Sequence, residues 1–230
     1  MGKEIEKIAL ERHHQVIEKL ETPDDWMNKT SQISQADVII EFSTPGSVVG
    51  NIRNCFDLHL PVVVGTTGWN DHREQVKEWC LGEKQALFTA SNFSIGVNIL
   101  FGLVRQLSVA LDHFDDYDIS LEEIHHIHKL DSPSGTAISL AEIILRNMKR
   151  KERWVNRKQQ SPADLEIISK REGEVAGIHR VVCESGADRL SLIHEAKSRR
   201  GFAVGAVLAA EWLPGRQGFF GMEDMLRFKE

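Results

Sequence analysis

The chain has 230 residues, 41% hydrophobic and 27% charged, which is the composition of a globular protein long enough to bury a full core. A net charge of −6 without a basic stripe argues against a nucleic-acid-binding protein. No apolar run approaches the ~18 residues of a membrane span, and three scattered cysteines are typical of a reducing compartment. We therefore expect a cytoplasmic protein with neither a nucleic-acid nor a membrane partner.

The first two-fifths of the chain alternate between helical and strand patterns. A helix is predicted from Gly2, because Ile5, Ile8 and Ala9 then share one face, and a second helix is predicted over residues 71–80. Four segments have the apolar, β-branched character of strands: residues 15–20, 38–42, 61–64 and 86–90. Short apolar strands that alternate with helices predict a parallel, doubly wound sheet.

From Asn92 onward the pattern changes. A long helix over residues 96–111 precedes a strand over 118–124, and a further helix covers 135–150. Three more strand patterns are separated by turn residues: 166–168, 178–182 and 189–193. This succession predicts a second α/β domain with an antiparallel or mixed sheet, followed by a closing helix over residues 203–213.

The strongest chemical signal runs from Glu123 to Ala137 and begins with imidazoles and an ammonium at the end of a strand. In extended geometry, His125 and Lys129 share one side of the chain, and His126 and His128 share the other. Near pH 7 an imidazolium on such a strand is able to supply a proton.

The second half of this segment, Ser132 to Thr136, opens a helix. The free N–H groups and positive dipole end of a helix hold anions, and Gly135 lets a ligand approach the backbone. A carboxylate on these amides with Lys129 beside it would give a grip on a dicarboxylate.

Three other interpretations compete with catalysis. Adjacent histidines are often merely solvated, Ser-Pro-Ser-Gly is an ordinary helix cap, and a histidine pair with Glu123 could ligate a transition metal. The order of a cation followed by an anion cradle suits anion capture better than metal ligation, so no metal site is predicted.

Two loops follow buried strands of the predicted parallel sheet: Gly65 to Trp69 and Ser91 to Ser94. Ligands of such sheets sit beyond the carboxyl ends of the strands. In a dinucleotide fold, Gly2 would open the first helix, and Glu21 lies roughly 20 residues on, where the ribose-binding acid is expected. Each of these signals is weak alone.

The segment from His125 to Ala137, HHIHKLDSPSGTA, resembles the signature of the dihydrodipicolinate reductase family. Four further segments support the resemblance: Phe42–Pro45, Gly65–Trp69, Ser91–Asn98 and Arg199–Ala203. The resemblance implies a Rossmann-like cofactor domain (residues 1–94 and 200–230) and an α/β substrate domain (95–199) whose sheet builds a homotetramer. It also implies reduction of 4-hydroxy-tetrahydrodipicolinate in lysine and diaminopimelate biosynthesis.

By the same resemblance, His125 is the proton donor to the dicarboxylate substrate and Lys129 is its electrostatic partner. The residues implied to hold the carboxylates are His126, Ser134, Gly135, Thr136 and Arg199. The residues implied to line the NADH or NADPH site are Gly2, Glu21, Gly65, Thr66, Thr67, Thr89, Ala90 and Asn92.

The family begins with a strand and a glycine-rich turn, whereas this sequence begins at what resembles the third glycine of that turn, Gly2. We therefore expect a parallel sheet without its first strand, and weak or absent cofactor binding. Glu21 without an adjacent arginine, and threonine at positions 22 and 44 where some members have arginine, favour NADH.

Three functions thus remain open at this stage. The first is the reductase. The second is a catalytically impaired scaffold that keeps only the substrate domain and its oligomeric assembly. The third is a metal-dependent hydrolase that uses the histidine cluster.

Overall fold

The protein is described by a computed structural model that defines residues 1–227. It divides into two compact units, one formed by residues 1–95 and 200–230 and the other by residues 96–199. The sequence placed the first change of unit one residue earlier, between 94 and 95.

The elements follow one another along the chain in three groups. Those of the first group are α1 (Gly2–Glu11), α2 (Asp25–Asn28), α3 (Thr30–Ile33), β1 (Ile39–Glu41), α4 (Val48–Asp57), β2 (Val62–Val64), a 3₁₀ turn (Asn70–His72), α5 (Arg73–Gly82) and β3 (Ala86–Thr89). Those of the second group are α6 (Ile95–Leu111), β4 (Asp118–His125), α7 (Gly135–Asn147), β5 (Arg153–Val155), β6 (Asp164–Arg171), β7 (Ile178–Glu184) and β8 (Arg189–Glu195). The last group is α8 (Arg200–Trp212), β9 (Gly218–Phe220) and α9 (Met222–Leu226).

The first unit contains a parallel sheet in the order β1-β2-β3-β9, as the alternating pattern predicts. Its central strands are buried on both faces: Val63 and Phe88 pack in the cluster that includes Ile8 of α1, and Val62 packs in the cluster that includes Phe56 of α4. This two-sided burial is why the strands are continuous apolar runs rather than alternating ones.

The strand predicted over residues 15–20 is wrong. This stretch has no regular secondary structure, although Val16 packs against the core formed by α1 and α8. A β-strand exists only through pairing, and among the described strands β1 pairs with β2 alone. The short elements α2, α3, β9 and α9 were not predicted either.

The second unit contains a mixed sheet in the order β5-β6-β4-β7-β8, which confirms the prediction for this half of the chain. β5, β6 and β4 are parallel, while β4, β7 and β8 are antiparallel. Helix α7 packs its buried residues Leu140 and Ile144 in the same core as Ile119 and Leu121 of β4. The short strand β5 was not predicted.

Within residues 1–227, no helix combines the length and the apolar character that a bilayer crossing requires.

Candidate active site

Strand β4 carries the residues that the sequence singled out, and its alternation decides which way they face. The inner face carries Ile119, Leu121, Glu123 and His125, all of them buried. The first two belong to the apolar core, and the last two are polar. The core therefore ends in a buried polar site at the carboxyl end of β4.

Glu123 is fully buried and has a partner for each of its carboxylate oxygens. Oε2 contacts Nδ1 of His125, and Oε1 accepts a hydrogen bond of 3.0 Å from Nη1 of Arg171. Burial alone would raise the pKa of Glu123, but hydrogen bonds from His125, Ser169 and Arg171 outweigh it and lower the pKa to about 2. Glu123 is thus an anion at neutral pH.

Glu123, His125 and His179 bring three potential ligand atoms within 4.8 Å of one another. In a tetrahedral zinc site with bonds of 2.0–2.1 Å, neighbouring ligand atoms are about 3.3 Å apart. Here Nδ1 of His125 contacts the carboxylate directly, and the cationic Arg171 binds the same carboxylate. The arrangement therefore favours a hydrogen-bonded charge pair over a metal centre.

The extended geometry predicted beyond His125 is wrong. β4 ends at His125, and the chain turns so that the N–H of Lys129 donates to the carbonyl of His126 at 3.1 Å. The rings of His126 and His128 lie 6.1 Å apart, and Nζ of Lys129 lies 2.8 Å from Oδ1 of Asp131. A turn replaces the strand because β6, the neighbouring strand, also ends beside His125, at Arg171.

The helix start that was predicted as an anion cradle forms at α7. Ser134 is the N-cap, and its Oγ accepts a hydrogen bond of 3.2 Å from the N–H of Ala137. Gly135 is exposed, with open space where a side chain would lie, and Thr136 is half-buried. The first turn of α7 therefore presents backbone to a ligand at the positions that the sequence indicated.

His179 of β7 connects this cradle to His125. Its Nε2 lies 3.1 Å from Oγ of Ser134, and its ring meets the ring of His125 edge to face with centroids 5.1 Å apart. Burial, with a smaller contribution from the charge of His125, lowers the pKa of His179 to about 4. His179 is therefore neutral at pH 7.

Gly177 packs against the other nitrogen of His125. A Cβ at position 177 would lie 3.0 Å from Nε2 of His125, and the φ of Gly177 is +151°. Both the contact and the backbone conformation therefore favour glycine. Because position 177 has no side chain, no Cβ contacts Nε2 of His125 from this side.

Arg199, the remaining residue predicted to bind the substrate, takes part in none of the contacts described above with the cradle or with His125. Arg199 is exposed and lies between β8 and α8. Its proposed role rests on the resemblance.

In the first unit, the carboxyl ends of three parallel strands meet in register. Glu41 pairs with Val64, and Val64 pairs with Thr89, so the residues that follow lie side by side. Gly65 is required here, because a Cβ at this position would lie 2.1 Å from the ring of Phe42. The loops after β1, β2 and β3 thus form one edge, where a parallel sheet binds its ligand.

A buried carboxylate holds two of these loops together. Oγ1 of Thr66 donates to Oε2 of Glu41 at 2.7 Å and accepts from the N–H of Ser43 at 2.7 Å. Asn51 of α4 donates to the other carboxylate oxygen at 3.1 Å. The hydroxyl of Thr66, a predicted cofactor residue, is thus committed to the loop itself.

The other residues predicted for the cofactor differ in exposure. Thr67, Gly2 and Glu21 are exposed, whereas Thr89, Ala90 and Asn92 are half-buried. Glu21 lines an open cavity of about 460 Å³ together with Val16, Thr22, Asp25 and other residues of the same segment. The polar loops that lie in register at the carboxyl ends of β1, β2 and β3 fit a nicotinamide dinucleotide.

A parallel sheet with polar loops at its carboxyl edge, joined in one chain to a mixed sheet with a buried histidine and a helix N-terminal cradle, defines a two-unit α/β oxidoreductase. The chain belongs to the dihydrodipicolinate reductase family. Residues 1–93 match "Dihydrodipicolinate reductase, N-terminus" and residues 96–226 match "Dihydrodipicolinate reductase, C-terminus".

Curated relatives carry a consistent name. A 4-hydroxy-tetrahydrodipicolinate reductase of Christiangramia forsetii is 44% identical over 98% of this chain and 93% of its own length. The protein of that name from Neisseria meningitidis serogroup A is 33% identical over 84% of this chain and 74% of its own length.

Solved structures show the same fold. The chain is similar to a dipicolinate-bound dihydrodipicolinate reductase from Paenisporosarcina sp. TG-14, with a TM-score of 0.78, 21% identity and coverage of 97% of this chain and 94% of that one. It is also similar to an amine dehydrogenase from Mycobacterium smegmatis, with a TM-score of 0.60, 8% identity and coverage of 97% and 92%.

Arg171 and His179 were not identified from the sequence, although both contact residues that were. They lie on β6 and β7: Arg171 is 48 residues from Glu123, and His179 is 45 residues from Ser134. The one signal available was that His179 interrupts an apolar strand pattern, which is also typical of a strand facing solvent on one side.

Proposed function

We propose that the chain reduces 4-hydroxy-tetrahydrodipicolinate to tetrahydrodipicolinate with NADH or NADPH, in lysine and diaminopimelate biosynthesis. The observation that carries this proposal is the 44% identity to a reductase of that name over 98% of the chain. The buried His125 beside the cradle of α7 supplies the matching chemistry.

The substrate is a small dicarboxylate, and the second unit offers two kinds of group to hold it. The N–H groups at the start of α7, from Gly135 and Thr136, bind a carboxylate through hydrogen bonds and the helix dipole. Lys129 adds a positive charge. His126 and Arg199 complete the proposed binding set, and Ser134 fixes the cradle through its N-cap hydrogen bond.

The 4-hydroxyl group of the substrate is lost as water, which leaves a ring carbon conjugated to an imine, and a bound cofactor would supply a hydride to that carbon. The electron-rich group that results must be stabilised by a cation until it is protonated, and Lys129 serves as that cation. His125 delivers the proton from Nε2, because its Nδ1 is engaged by Glu123.

In the first unit, Gly65, Thr67, Thr89, Ala90 and Asn92 are proposed to contact the cofactor. Thr66 acts through the loop that it holds. Gly2 opens the helix proposed to receive the pyrophosphate, and Glu21 is the proposed ribose ligand. A carboxylate without a neighbouring arginine repels a 2′-phosphate, so NADH is the preferred donor in this proposal.

Two further proposals concern the state of the protein in the cell. A homotetramer is supported by strand β8, which carries the exposed side chain of Ile193 on the face opposite to the one where Leu192 packs against the core. A cytoplasmic location is supported by three buried cysteines that are all free.

Oxidation of NADH, followed at 340 nm with freshly prepared substrate, tests the function. We expect turnover. We also expect competitive inhibition by pyridine-2,6-dicarboxylate, because the proposed site contacts the two carboxylates and makes no contact that depends on whether the ring is hydrogenated. Pyridine-2-carboxylate is the matched control and should inhibit far less. Binding of dicarboxylate without turnover would instead favour the scaffold.

The second candidate is a metal-dependent hydrolase, and the observation behind it is that Glu123, His125 and His179 bring three potential ligand atoms within 4.8 Å of one another. Stoichiometric zinc in the purified protein, with reductase activity undetectable and a hydrolytic activity sensitive to chelators, would support that function. Reductase activity that survives prolonged dialysis against EDTA would exclude it.

A further inference from the structure

Arg171 lies between the two residues to which the chemistry is assigned. Its Nη1 donates to Oε1 of Glu123 at 3.0 Å, and its Nη2 donates to the carbonyl of Asp131 at 2.5 Å. Its Nε lies 3.4 Å from the carbonyl of Lys129. One planar, rigid guanidinium thus binds both the carboxylate partner of His125 and the turn that carries Lys129.

Glu123 contacts the ring of His125 at its Nδ1 atom. Its Oε2 contacts Nδ1 of His125, and its position two residues earlier on β4 places both side chains on the buried face. A carboxylate accepts hydrogen bonds and donates none, so it keeps the proton on Nδ1. Nε2 is then the nitrogen that binds and releases the second proton.

We propose that Glu123 and Arg171 are positioning residues of the reaction: Glu123 fixes the tautomer and orientation of His125, and Arg171 fixes Glu123 and the turn of Lys129 together. This inference rests on the proposed function. It adds two residues, from β4 and β6, that touch neither substrate nor cofactor in the proposed mechanism.

The charges around His125 give the pair an electrostatic role as well. The groups that face or adjoin it are Glu123 on its own strand, Arg171 on β6, the neutral His179 on β7, and Lys129 on the following turn. Glu123 is the anion that contacts the ring, whereas Lys129 is itself paired with Asp131 at 2.8 Å. An anion in contact with an imidazole favours the protonated form of the ring. Removing the charge of Glu123 should disfavour the proton-donating form.

Glu123→Gln tests the first half of the proposal, with Glu122→Gln as the matched control. Glu122 is the next residue on β4 and makes surface ion pairs with Lys170 and Arg180. We expect Glu123→Gln to lower kcat roughly 10- to 100-fold with KM for the dicarboxylate within about threefold. The alkaline limb of the kcat/KM profile should move to lower pH, and Glu123→Asp should recover part of kcat.

Arg171→Lys tests the second half, with Arg180→Lys as its control. A lysine keeps the charge, but its compact ammonium cannot reach Glu123 and the carbonyls of Lys129 and Asp131 together. We expect kcat to fall and KM for the dicarboxylate to rise, because the turn of Lys129 loosens. The control should change neither parameter.

Histidine ¹H–¹⁵N NMR of the wild-type protein decides the tautomer without any assay. We expect the signals of His125 at neutral pH to show a proton on Nδ1, and Glu123→Gln to weaken that pattern. A wild-type His125 without a proton on Nδ1, or Glu123→Gln with unchanged kcat and pH profile, would overturn the proposal. If the wild type does not turn over, the proposed function fails, and the NMR result still decides this pair.

Discussion

Nε2 of His179 lies 3.1 Å from Oγ of Ser134, although 45 positions separate the two residues in the chain. Ser134 caps α7, and His179 stacks edge to face on His125, so this contact joins the anion cradle to the proposed proton donor. Because His179 is neutral at pH 7, it brings the two together without adding a charge that competes for the carboxylates.

The proposed catalytic pair is tested by His125→Ala and Lys129→Ala. We expect each variant to lower kcat by roughly 100-fold or more, because one removes a general acid and the other a charge that stabilises the electron-rich intermediate. Steady-state kinetics measures this. The controls are His113→Ala and Lys158→Ala, which replace exposed residues of the same kinds. Turnover near that of the wild type in either test variant would reassign its role.

Gly177 and Gly173 form a matched pair for separating backbone strain from contact with the site. Both have positive φ, +151° and +47°, but a Cβ at 173 meets open space whereas one at 177 lies 3.0 Å from Nε2 of His125. We expect Gly173→Ala to lose about 1 kcal/mol of stability and Gly177→Ala to lose more, because a φ of +151° lies in a region that only glycine adopts readily. Gly177→Ala should in addition lower kcat about tenfold or more, in steady-state assays at saturating substrate. Equal kcat in the two variants would count against the proposed role of Nε2.

His179 should make stability depend on pH in a defined window. The pKa of His179 falls from 6.5 to about 4 on folding. Between pH 6.5 and pH 4 the unfolded chain therefore binds a proton at this residue, and the native state does not. The contribution of His179 to the free energy of unfolding is therefore fully present above about pH 6.5 and is lost as pH falls towards 4. It should decrease by about 2 kcal/mol between pH 7 and pH 5.

Urea unfolding of the wild type and of His179→Gln at pH 7 and pH 5 measures this contribution. The variant should lose less stability than the wild type on acidification, because glutamine does not titrate. The same pH dependence in both proteins would show that His179 is not held neutral in the native state.

Thr66→Val should weaken cofactor binding without affecting the dicarboxylate. Valine has the shape of threonine but removes one hydrogen bond to the buried Glu41 and one from the N–H of Ser43, at a cost of about 1–3 kcal/mol. If part of that cost falls on the loop at the sheet edge, Kd for NADH should rise about fivefold or more in calorimetry. Binding of pyridine-2,6-dicarboxylate in the same sample should not change.

Thr30→Val, which replaces an exposed threonine of α3, is the matched control for this variant. An unchanged Kd for NADH in Thr66→Val would show that the loop after β2 does not contribute to cofactor binding.

Much of the fold was predictable because buried positions in helices and strands recur along the sequence with a characteristic spacing of apolar residues. The strand over residues 118–124 was predicted from its sequence pattern, and the apolar run of Val62–Val64 predicts burial on both faces. The burial of the polar residues Glu123 and His125 on the same face as Ile119 and Leu121 was seen only in the structure. The cap at Ser134 was predictable because a helix start depends on neighbouring residues only.

The strand expected over residues 15–20 shows where that record fails. Its pattern is compatible with a strand, but pairing with a neighbour decides whether a strand forms, and β1 has β2 as its described partner. Likewise, the histidine segment reads as extended, yet the chain turns after His125 because the neighbouring strand ends there.

By itself, the sequence determined the two kinds of sheet, the family signature from His125 to Ala137, and the start of α7, which is proposed to bind a carboxylate. Only the tertiary structure decided that Arg171 and His179 complete the site. Sheet register places Arg171 beside His125 and His179 opposite Glu123, and register is set by packing and by turns distant in the sequence. No local pattern encodes which side chains two strands bring together, and so the residues that orient His125 were not evident until the strands were paired.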